Sequence, residues 1–284
     1  MKKILLIFVL LLNFSLFLNA LNLKIVWWNV KNFFDTTDDT DKDDTILTKE
    51  QYETKLFQIS QKLNYFKADI VGLCEVENIN ILKDIAKKTN YPFYYLEEGN
   101  DPRGIDVCIL SKYILNYSTN KDMPTPYLEN KSYKFSRDCP VVYLNIDNIE
   151  LYILLTHLKS KLKDDDKSDK KRSAQVFGIL DIISDIYNNS KNEPNLILMG
   201  DFNSYRYSEP MNILEKSGLV ILNYFHKKNQ IFTTKFNGKK EDIDYILFNK
   251  KMFEKSKINQ FKVFNDKNYE AISDHFPIFL DFTL

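Results

Sequence analysis

The sequence predicts an α/β (α+β) domain in which two packed, mixed β-sheets are flanked by helices. Three observations point there. Apolar runs of strand length recur along the whole chain. Two or three long helical segments lie between them. Some neighbouring strands are close enough to pair as hairpins, which a purely parallel sheet does not contain.

The elements follow in order. "LKIVWWNV" (23–30) reads as a strand, and "DTTDDTDKDD" (35–44) as a solvated acidic loop. "KEQYETKLFQISQKLNYF" (49–66) places Tyr52, Leu56, Ile59 and Leu63 at helical spacing and is an amphipathic helix. "DIVGLCEV" (69–76) is a strand, "NINILKDIAKKT" (78–89) a helix and "GIDVCILS" (104–111) a strand. "CPVVYLNI" and "IELYILLTHL" form a hairpin around "DNIE". The charged loop "KDDDKSDKK" (163–171) leads into the helix "RSAQVFGILDIISDIY". "NLILMGDFN" is a strand, followed by a looser stretch with Pro210 and Gly218, the strand "DIDYILFN", and the last strand "FPIFLDFT" (276–283). No internal repeat and no Pro/Gly/Ser linker interrupts the series, so one catalytic domain is expected over 21–284.

Composition sets the outer bounds. A chain of 284 residues, 44% hydrophobic and rich in Phe and Tyr, can build a sizeable core. Lys+Arg and Asp+Glu are both 39, so the global basic excess of a non-specific nucleic-acid binder is missing; a nuclease with a local basic groove remains compatible. Residues 1–20 have the layout of an export signal: "MKK", then the apolar "ILLIFVLLLNFSLFL", then "LNA" with a small residue at the expected cut after Ala20. The apolar run is short for a membrane anchor and a strand follows at once, so cleavage is expected, with no stable membrane insertion afterwards. Losing Lys2 and Lys3 leaves 37 basic against 39 acidic residues, a mature charge of −2. The expected location is exported, periplasmic or secreted. Cys74, Cys108 and Cys139 are an odd set that allows at most one disulfide; Cys74 and Cys108 lie in apolar strands and read as buried thiols.

The strand ends carry the chemistry. "VWWNVKN" ends on Asn29 and Asn32, "GLCEVEN" on Glu75 and Glu77, "LLTHLKSK" on His157 and Lys159, and "LMGDFNS" on Asp201 and Asn203. "EDIDYILF" opens a strand with Asp242 and Asp244, and "ISDHFPI" places Asp274 and His275 just before the last strand. Asp and Asn are poor strand formers, and a single such ending is an ordinary turn. Six edges bearing oxygen ligands or imidazoles, with two of the three histidines among them, form a pattern. Carboxylates and amides are hard oxygen ligands suited to Mg²⁺, Mn²⁺ or Ca²⁺. His beside Asp can donate to a phosphoryl oxygen. No Ser-His or Cys-His nucleophile pair offers itself, so the chemistry indicated is metal-assisted attack of water on a phosphoester. The third imidazole, His226, sits in a polar stretch and reads as surface.

The ordered set "WNVKN", "LCEVEN", "RGIDVCIL", "THLKSK", "GDFNS", "DIDYIL" and "SDHFPI" resembles the endonuclease/exonuclease/phosphatase superfamily, in particular its deoxyribonuclease I-like branch, over essentially the whole mature chain. The resemblance implies a four-layer α/β-sandwich and a divalent-metal-dependent phosphodiester hydrolase using Mg²⁺, or Mn²⁺, with Ca²⁺ an option. It implies that Asn29, Glu75 and Asp274 hold the metal and that Asp201 prepares the attacking water, with Asn203 holding that group and the phosphate. By the same resemblance His275, partnered by Asp244, and His157 contact the phosphate. Arg137 in "SRDCPVV" resembles a phosphate-contacting arginine, and Arg103 in "RGIDV" is a second candidate. Two departures stand out. Lys31 occupies the place where many relatives carry an acid, and the glutamate that supports the first His has no clean match, Asp106 being one residue out of register. Glu77 and Asp242 read as structural or solvent-exposed by their offset from the matched residues.

"DTDKDDTILTKE" (39–50) imitates a helix–loop–helix calcium loop through Asp39, Asp41, Asp43, Ile46 and Glu50. Asp44 stands where that loop needs Gly and no helix precedes it, so a plain acidic loop is expected. The function expected is a monomeric exported nuclease acting on nucleic acid, DNA first. A phospholipid or inositol-phosphate phosphoesterase and a catalytically inactive binding module are the alternatives. The polar stretch 117–135 speaks against the lipid reading, and the intact carboxylates and histidines against the inactive one. Arg103, Arg137, Lys159 and Lys161 are the cations available to a nucleic-acid backbone.

Overall fold

The computed structural model describes residues 20–128, 131–161, 166–226 and 231–284, so the expected export signal lies outside it except for Ala20. Along the chain run β1 (Asn22–Phe33), α1 (Lys49–Phe66), β2 (Ile70–Val76), α2 (Ile79–Thr89), β3 (Phe93–Leu96), β4 (Asp106–Ser111) and β5 (Leu115–Ser118). A hairpin, β6 (Pro124–Leu128) and β7 (Lys131–Lys134), precedes β8 (Val141–Ile146), β9 (Ile149–His157) and α3 (Asp166–Asn189). Then come β10 (Asn195–Asp201), α4 (Glu209–Lys216), β11 (Leu219–Ile221), a second small hairpin of β12 (Thr234–Phe236) and β13 (Lys239–Glu241), and β14 (Asp244–Asn249). The chain closes with α5 (Lys250–Lys255), β15 (Lys257–Val263), α6 (Lys267–Glu270) and β16 (Ile278–Thr283).

Two six-stranded mixed sheets result, ordered β15-β16-β1-β2-β4-β3 and β11-β14-β10-β9-β8-β5. The alternation of side chains explains how they pack. Along β9 and β10, Ile153, Leu155, Ile197 and Met199 join the core between the sheets. Leu154, Leu196 and Leu198 point the other way, into a core shared with Val176 and Ile179 of α3 and Met211 and Leu214 of α4. Leu56, Ile59 and Leu63 of α1 and Ile81, Leu82 and Ile85 of α2 cover the first sheet. The layers are therefore helix, sheet, sheet, helix. At Gly72 the sheets lie close: a Cβ there would be 2.8 Å from Met199 Cε of the facing sheet.

Helix ends match the sequence. Thr48 accepts from Gln51 N while Gln51 Oε1 accepts from Thr48 N, a capping box that starts α1 at Lys49. Asn78 caps α2 by accepting from Asn80 N and Ile81 N. Several elements depart from expectation. β1 runs to Phe33, past a register shift between Asn29 and Phe33. The "looser stretch" folds as α4 and β11, and the polar segment after Ser118 contains a hairpin. β15 is a polar edge strand, "KINQFKV", whose alternation buries only Val263, so hydrophobic periodicity could not reveal it. Cys74 and Cys108 are buried free thiols, as expected, and Cys139 is one too, so the described residues hold no disulfide. Among the described residues no helix is long and apolar enough to cross a membrane.

Candidate active site

Period-two alternation carries the apolar inner face of the second sheet to its carboxyl edge and ends it in polar groups. Asp201 stands in register with His157 on the parallel neighbour and with Asp244 on the antiparallel one. His157 and Asp201 follow the inward Leu155 and Met199 by two positions and Asp244 precedes the inward Ile246 by two, so all three point into the seam between the sheets. Gly200 makes this line possible: a Cβ there would lie 2.3 Å from the Thr156 carbonyl oxygen. The "G" of "GDFN" is thus a close-approach residue between β9 and β10.

The first sheet supplies the opposing groups through backbone irregularities. Glu75 is the extra residue in a register shift between Cys74 and Val76, with φ of 64°. The bulge turns its carboxylate towards Asn29 instead of leaving it on the face opposite Cys74. Lys31, Asn32 and Asn203 also have positive φ, so three strand ends carry left-handed backbone at this site.

The side chains interlock. Asn29 Nδ2 donates to Glu75 Oε1 and to Asp201 Oδ2, each at 3.0 Å, and Asn29 Oδ1 accepts from Lys31 N at 2.9 Å. Asp201 Oδ1 accepts from Asn203 N at 2.9 Å, and Asn203 Nδ2 donates to Leu158 O at 3.1 Å. His157 Nε2 lies 3.5 Å from Asp201 Oδ2 and 3.8 Å from Glu75 Oε1. His275 Nδ1 meets Asp244 Oδ2 at 2.8 Å, and its Nε2 lies 3.8 Å from Asp201 Oδ2. Ser273 donates to Asn29 O at 2.8 Å and accepts from His275 N at 3.0 Å, tying the "SDH" loop to β1.

Electrostatics separates the two imidazoles. Burial pulls His275 down, but the Asp244 and Asp201 carboxylates override it and raise the ring to about 10, so it is protonated at neutral pH. His157 is driven well below its ordinary value by burial and then by the positive charge of Arg137 and His275, so it is neutral. Burial, followed by the charge of Asp244, raises Asp201. A carboxyl with raised proton affinity beside a charged imidazole has the arrangement of an acid–base pair.

Cations surround this core. Arg137, 2% exposed, pairs through Nη2 with Asp101 Oδ2 at 2.5 Å, while its Nε and Nη1 have no partner. Arg103 binds the same carboxylate through Nε at 3.1 Å and reaches Asn32 Oδ1 at 3.2 Å. Asp274 Oδ2 pairs with Lys31 Nζ at 3.3 Å, so the residue that departs from the resemblance lies on a candidate metal ligand. Lys55 of α1 donates to the Lys31 and Asn32 carbonyls; burial lowers it to about 8, against the charges of Glu75 and Asp274 that raise it.

The structure brings Asn29, Glu75, His157, Asp201, Asn203, Asp244 and His275 into one network. Asp274 joins it through Lys31 and Arg103 through Asn32, whose N donates to Glu75 Oε2 at 2.8 Å, and Arg137 is held to Arg103 by their shared Asp101. Asp201, Asp244 and His275 each offer one ligand atom within 4.8 Å of the others, and Glu75 and Asp274 add carboxylates of the hard-oxygen type a divalent cation takes. Asn29 presents its nitrogen, not its oxygen, to Glu75 and Asp201. Asp106 does not support His157: its Oδ1 accepts from Gly99 N at 2.8 Å, and His157 Nδ1 has no partner among the described residues. Asp242 is structural, paired with Arg206 at 2.9 Å. His226 is half-buried and stacks on Phe261 instead of lying free on the surface.

Sequence reasoning missed Asp101, Lys55, Trp27 and Thr233. Trp27 Nε1 donates to Asp244 Oδ1 at 3.0 Å across the two sheets, and Thr233 Oγ1 accepts from Asp244 N at 2.9 Å. Trp27 had a signal, since it precedes Asn29 by two on the same strand face. Lys55 had none, because its target is a carbonyl exposed by the β1 irregularity.

A family model described as "Endonuclease/Exonuclease/phosphatase family" matches residues 24–240. No curated protein sequence matches the chain. Among solved structures, the human Nocturnin catalytic domain with bound sulfate superposes with TM-score 0.67 at 18% identity, covering 92% of this chain and 94% of that one. The Bacteroides thetaiotaomicron mannosyl-6-phosphatase Bt3783 superposes with TM-score 0.63 at 16% identity, covering 92% and 100%. A humanized D. rerio TDP2 gives 0.62 at 15%, covering 92% and 98%.

Proposed function

Because this chain belongs to the endonuclease/exonuclease/phosphatase family and is a metal-dependent phosphoester hydrolase, we propose that it cleaves phosphodiesters of nucleic acid, DNA first, outside the cytoplasm and with Mg²⁺. The observation that carries the diester reading is the sharing of Asp101 by Arg103 and Arg137. Two guanidinium charges against one carboxylate leave positive charge at the edge of the site, beyond the reacting centre, which suits a backbone whose phosphates continue past the bond being cut. Tyr205 and Tyr207, 40% and 55% exposed, lie two and four residues after Asn203, with Lys161 Nζ over the Tyr205 ring and Tyr207 packed on Tyr224.

In this reading Glu75 and Asp274 hold the divalent ion, and Asn29 sets the spacing between Glu75 and Asp201. When bound, the ion supplies Lewis-acid stabilisation of charge on the phosphoryl and leaving oxygens. Asp201, aligned by Asn29 Nδ2 and Asn203 N, takes the proton of the attacking water as the new O–P bond forms. The protonated His275 donates from Nε2 to a non-bridging oxygen as negative charge grows there, with Asp244 holding the ring charged and oriented. Neutral His157 donates from Nε2 to a second phosphoryl oxygen. The bond to the leaving oxygen breaks, and that oxygen takes its proton from solvent.

The test is a substrate panel: plasmid, linear duplex, single-stranded DNA, RNA, sphingomyelin, inositol phosphates and a sugar 6-phosphate, each with Mg²⁺, Mn²⁺ and Ca²⁺ in turn. Cleavage of DNA above all others is expected. Turnover confined to phosphomonoesters or to lipid would overturn the nuclease reading. Export is tested by sequencing the amino terminus of the mature protein, expected near Leu21; an intact Met1 on membrane-bound protein would contradict it.

A further inference from the structure

We propose that the acidic loop after β1 is a calcium site, built from Asp39, Asp44 and Glu77, that fixes the loop against the segment carrying Arg103. One carboxylate oxygen from each of these three residues lies within 4.8 Å of the other two. Ca²⁺ takes oxygen ligands at about 2.3–2.6 Å, so any two ligands of one ion lie within about 5 Å. This set differs from the helix–loop–helix pattern in the sequence, because Glu77 comes from the end of β2 and Asp41 and Asp43 are not part of it.

Glu77 is the independent sign of a ligand. Its side chain is 3% exposed, yet Oε1 has no hydrogen-bond partner. Its other oxygen, Oε2, accepts from Asp35 N at 2.7 Å and from Asn78 Nδ2 at 3.3 Å, which aims the carboxylate into the loop. A buried, unpaired carboxylate oxygen is costly unless a cation or donor meets it. No Lys, Arg or His forms an ion pair with Asp39, Asp44 or Glu77 among the described residues. The stretch 35–44 itself holds six Asp and one Lys, so folding it against Glu77 concentrates negative charge that a divalent ion offsets.

The site has a mechanical consequence. Asp39 N donates to Asp44 Oδ2 at 3.0 Å, and Lys42 N donates to Asp39 O at 2.8 Å, which closes the loop on itself. Asp43 N donates to Pro102 O at 2.8 Å, so the loop grips the turn that presents Arg103. Carboxylates from three separated positions in irregular chain suit the flexible coordination of Ca²⁺ better than the strict octahedron of Mg²⁺, with carbonyl or water oxygens completing the shell.

Calcium is titrated calorimetrically into the mature full-length protein in saturating Mg²⁺, which keeps Ca²⁺ out of the hydrolytic centre. About one equivalent should bind, and Asp39→Asn and Asp44→Asn should each weaken it about tenfold or more. Asp41→Asn and Glu75→Gln should stay within about twofold of wild type. Glu77→Gln should also lose the site; should that variant not fold, the two half-exposed aspartates decide. Calcium should slow proteolysis within 35–44 in wild type and fail to do so in Asp39→Asn. No uptake by wild type, equal uptake by Asp39→Asn and Asp44→Asn, or loss confined to Glu75→Gln would each overturn the proposal.

Discussion

His275 Nδ1 lies 2.8 Å from Asp244 Oδ2, and the other oxygen of that carboxylate accepts from Trp27 Nε1 at 3.0 Å. One buried carboxylate therefore joins the last loop, the end of the second sheet and the inner face of the first. It also holds His275 charged. Activity that needs a protonated His275 persists below its proton affinity and is lost as pH rises through about 10. Asp244→Asn removes the charge that raises the ring, while burial still lowers it. Asp201 still raises the ring, so the alkaline limb of kcat should move clearly downward from about 10 without losing the whole of the shift. A pH–rate profile of both proteins checks this; an unmoved alkaline limb would show that the limb does not belong to His275.

Glu75 and His275 should fail in different ways. Glu75→Gln keeps the shape but removes the charge a hard cation needs, so activity should drop at limiting Mg²⁺ and recover partly in excess. His275→Ala should lower turnover by about a hundredfold or more at every Mg²⁺ concentration, since it removes a donor to developing charge. Turnover across a Mg²⁺ titration separates the two, with thermal melts to confirm folding.

Asp101 should govern substrate binding more than chemistry. It fixes Arg103 and Arg137 on one carboxylate and sits 7% exposed. Asp101→Asn frees both guanidinium groups to move, and KM should rise about tenfold while kcat changes little, the cost of lost preorganisation at a charged contact being on the order of 1–2 kcal/mol. Steady-state kinetics on the best substrate of the panel measures the split.

Gly200→Ala should destabilise the fold sharply. The added methyl would meet the Thr156 carbonyl at 2.3 Å, and backbone on a paired strand cannot step aside as a flexible side chain can. A loss of about 2–3 kcal/mol is expected, read from urea denaturation, with activity falling as the Asp201–His157 register is disturbed.

Affinity for DNA should depend only weakly on salt. Arg103, Arg137, Lys159 and Lys161 are among the cations near the site, with Lys31 and Lys55 beside β1, in a chain of zero formal net charge. The log–log slope of binding against salt should be about −2 to −4. A slope near −8 would reveal a basic face elsewhere.

Alternation along β9, β10 and β14 was enough to place His157, Asp201 and Asp244 on the inner face, because side-chain direction in a strand repeats every two residues whatever the rest of the chain does. The limits of α1, the buried thiols and the two-sheet plan were legible for the same reason: short-range periodicity and capping encode them. What the sequence by itself determined was therefore the type, order and facing of the strand-end groups. The tertiary structure decided the rest. It turned Glu75 through a bulge, gave Asn29 its amide nitrogen as the link between two carboxylates, set Arg103 and Arg137 on Asp101, and folded Asp39 and Asp44 onto Glu77. Those contacts join residues far apart in the chain or depend on single left-handed backbone angles. Neither leaves a local pattern, because each is fixed only when the two sheets stack and the loops at their edge close on one another.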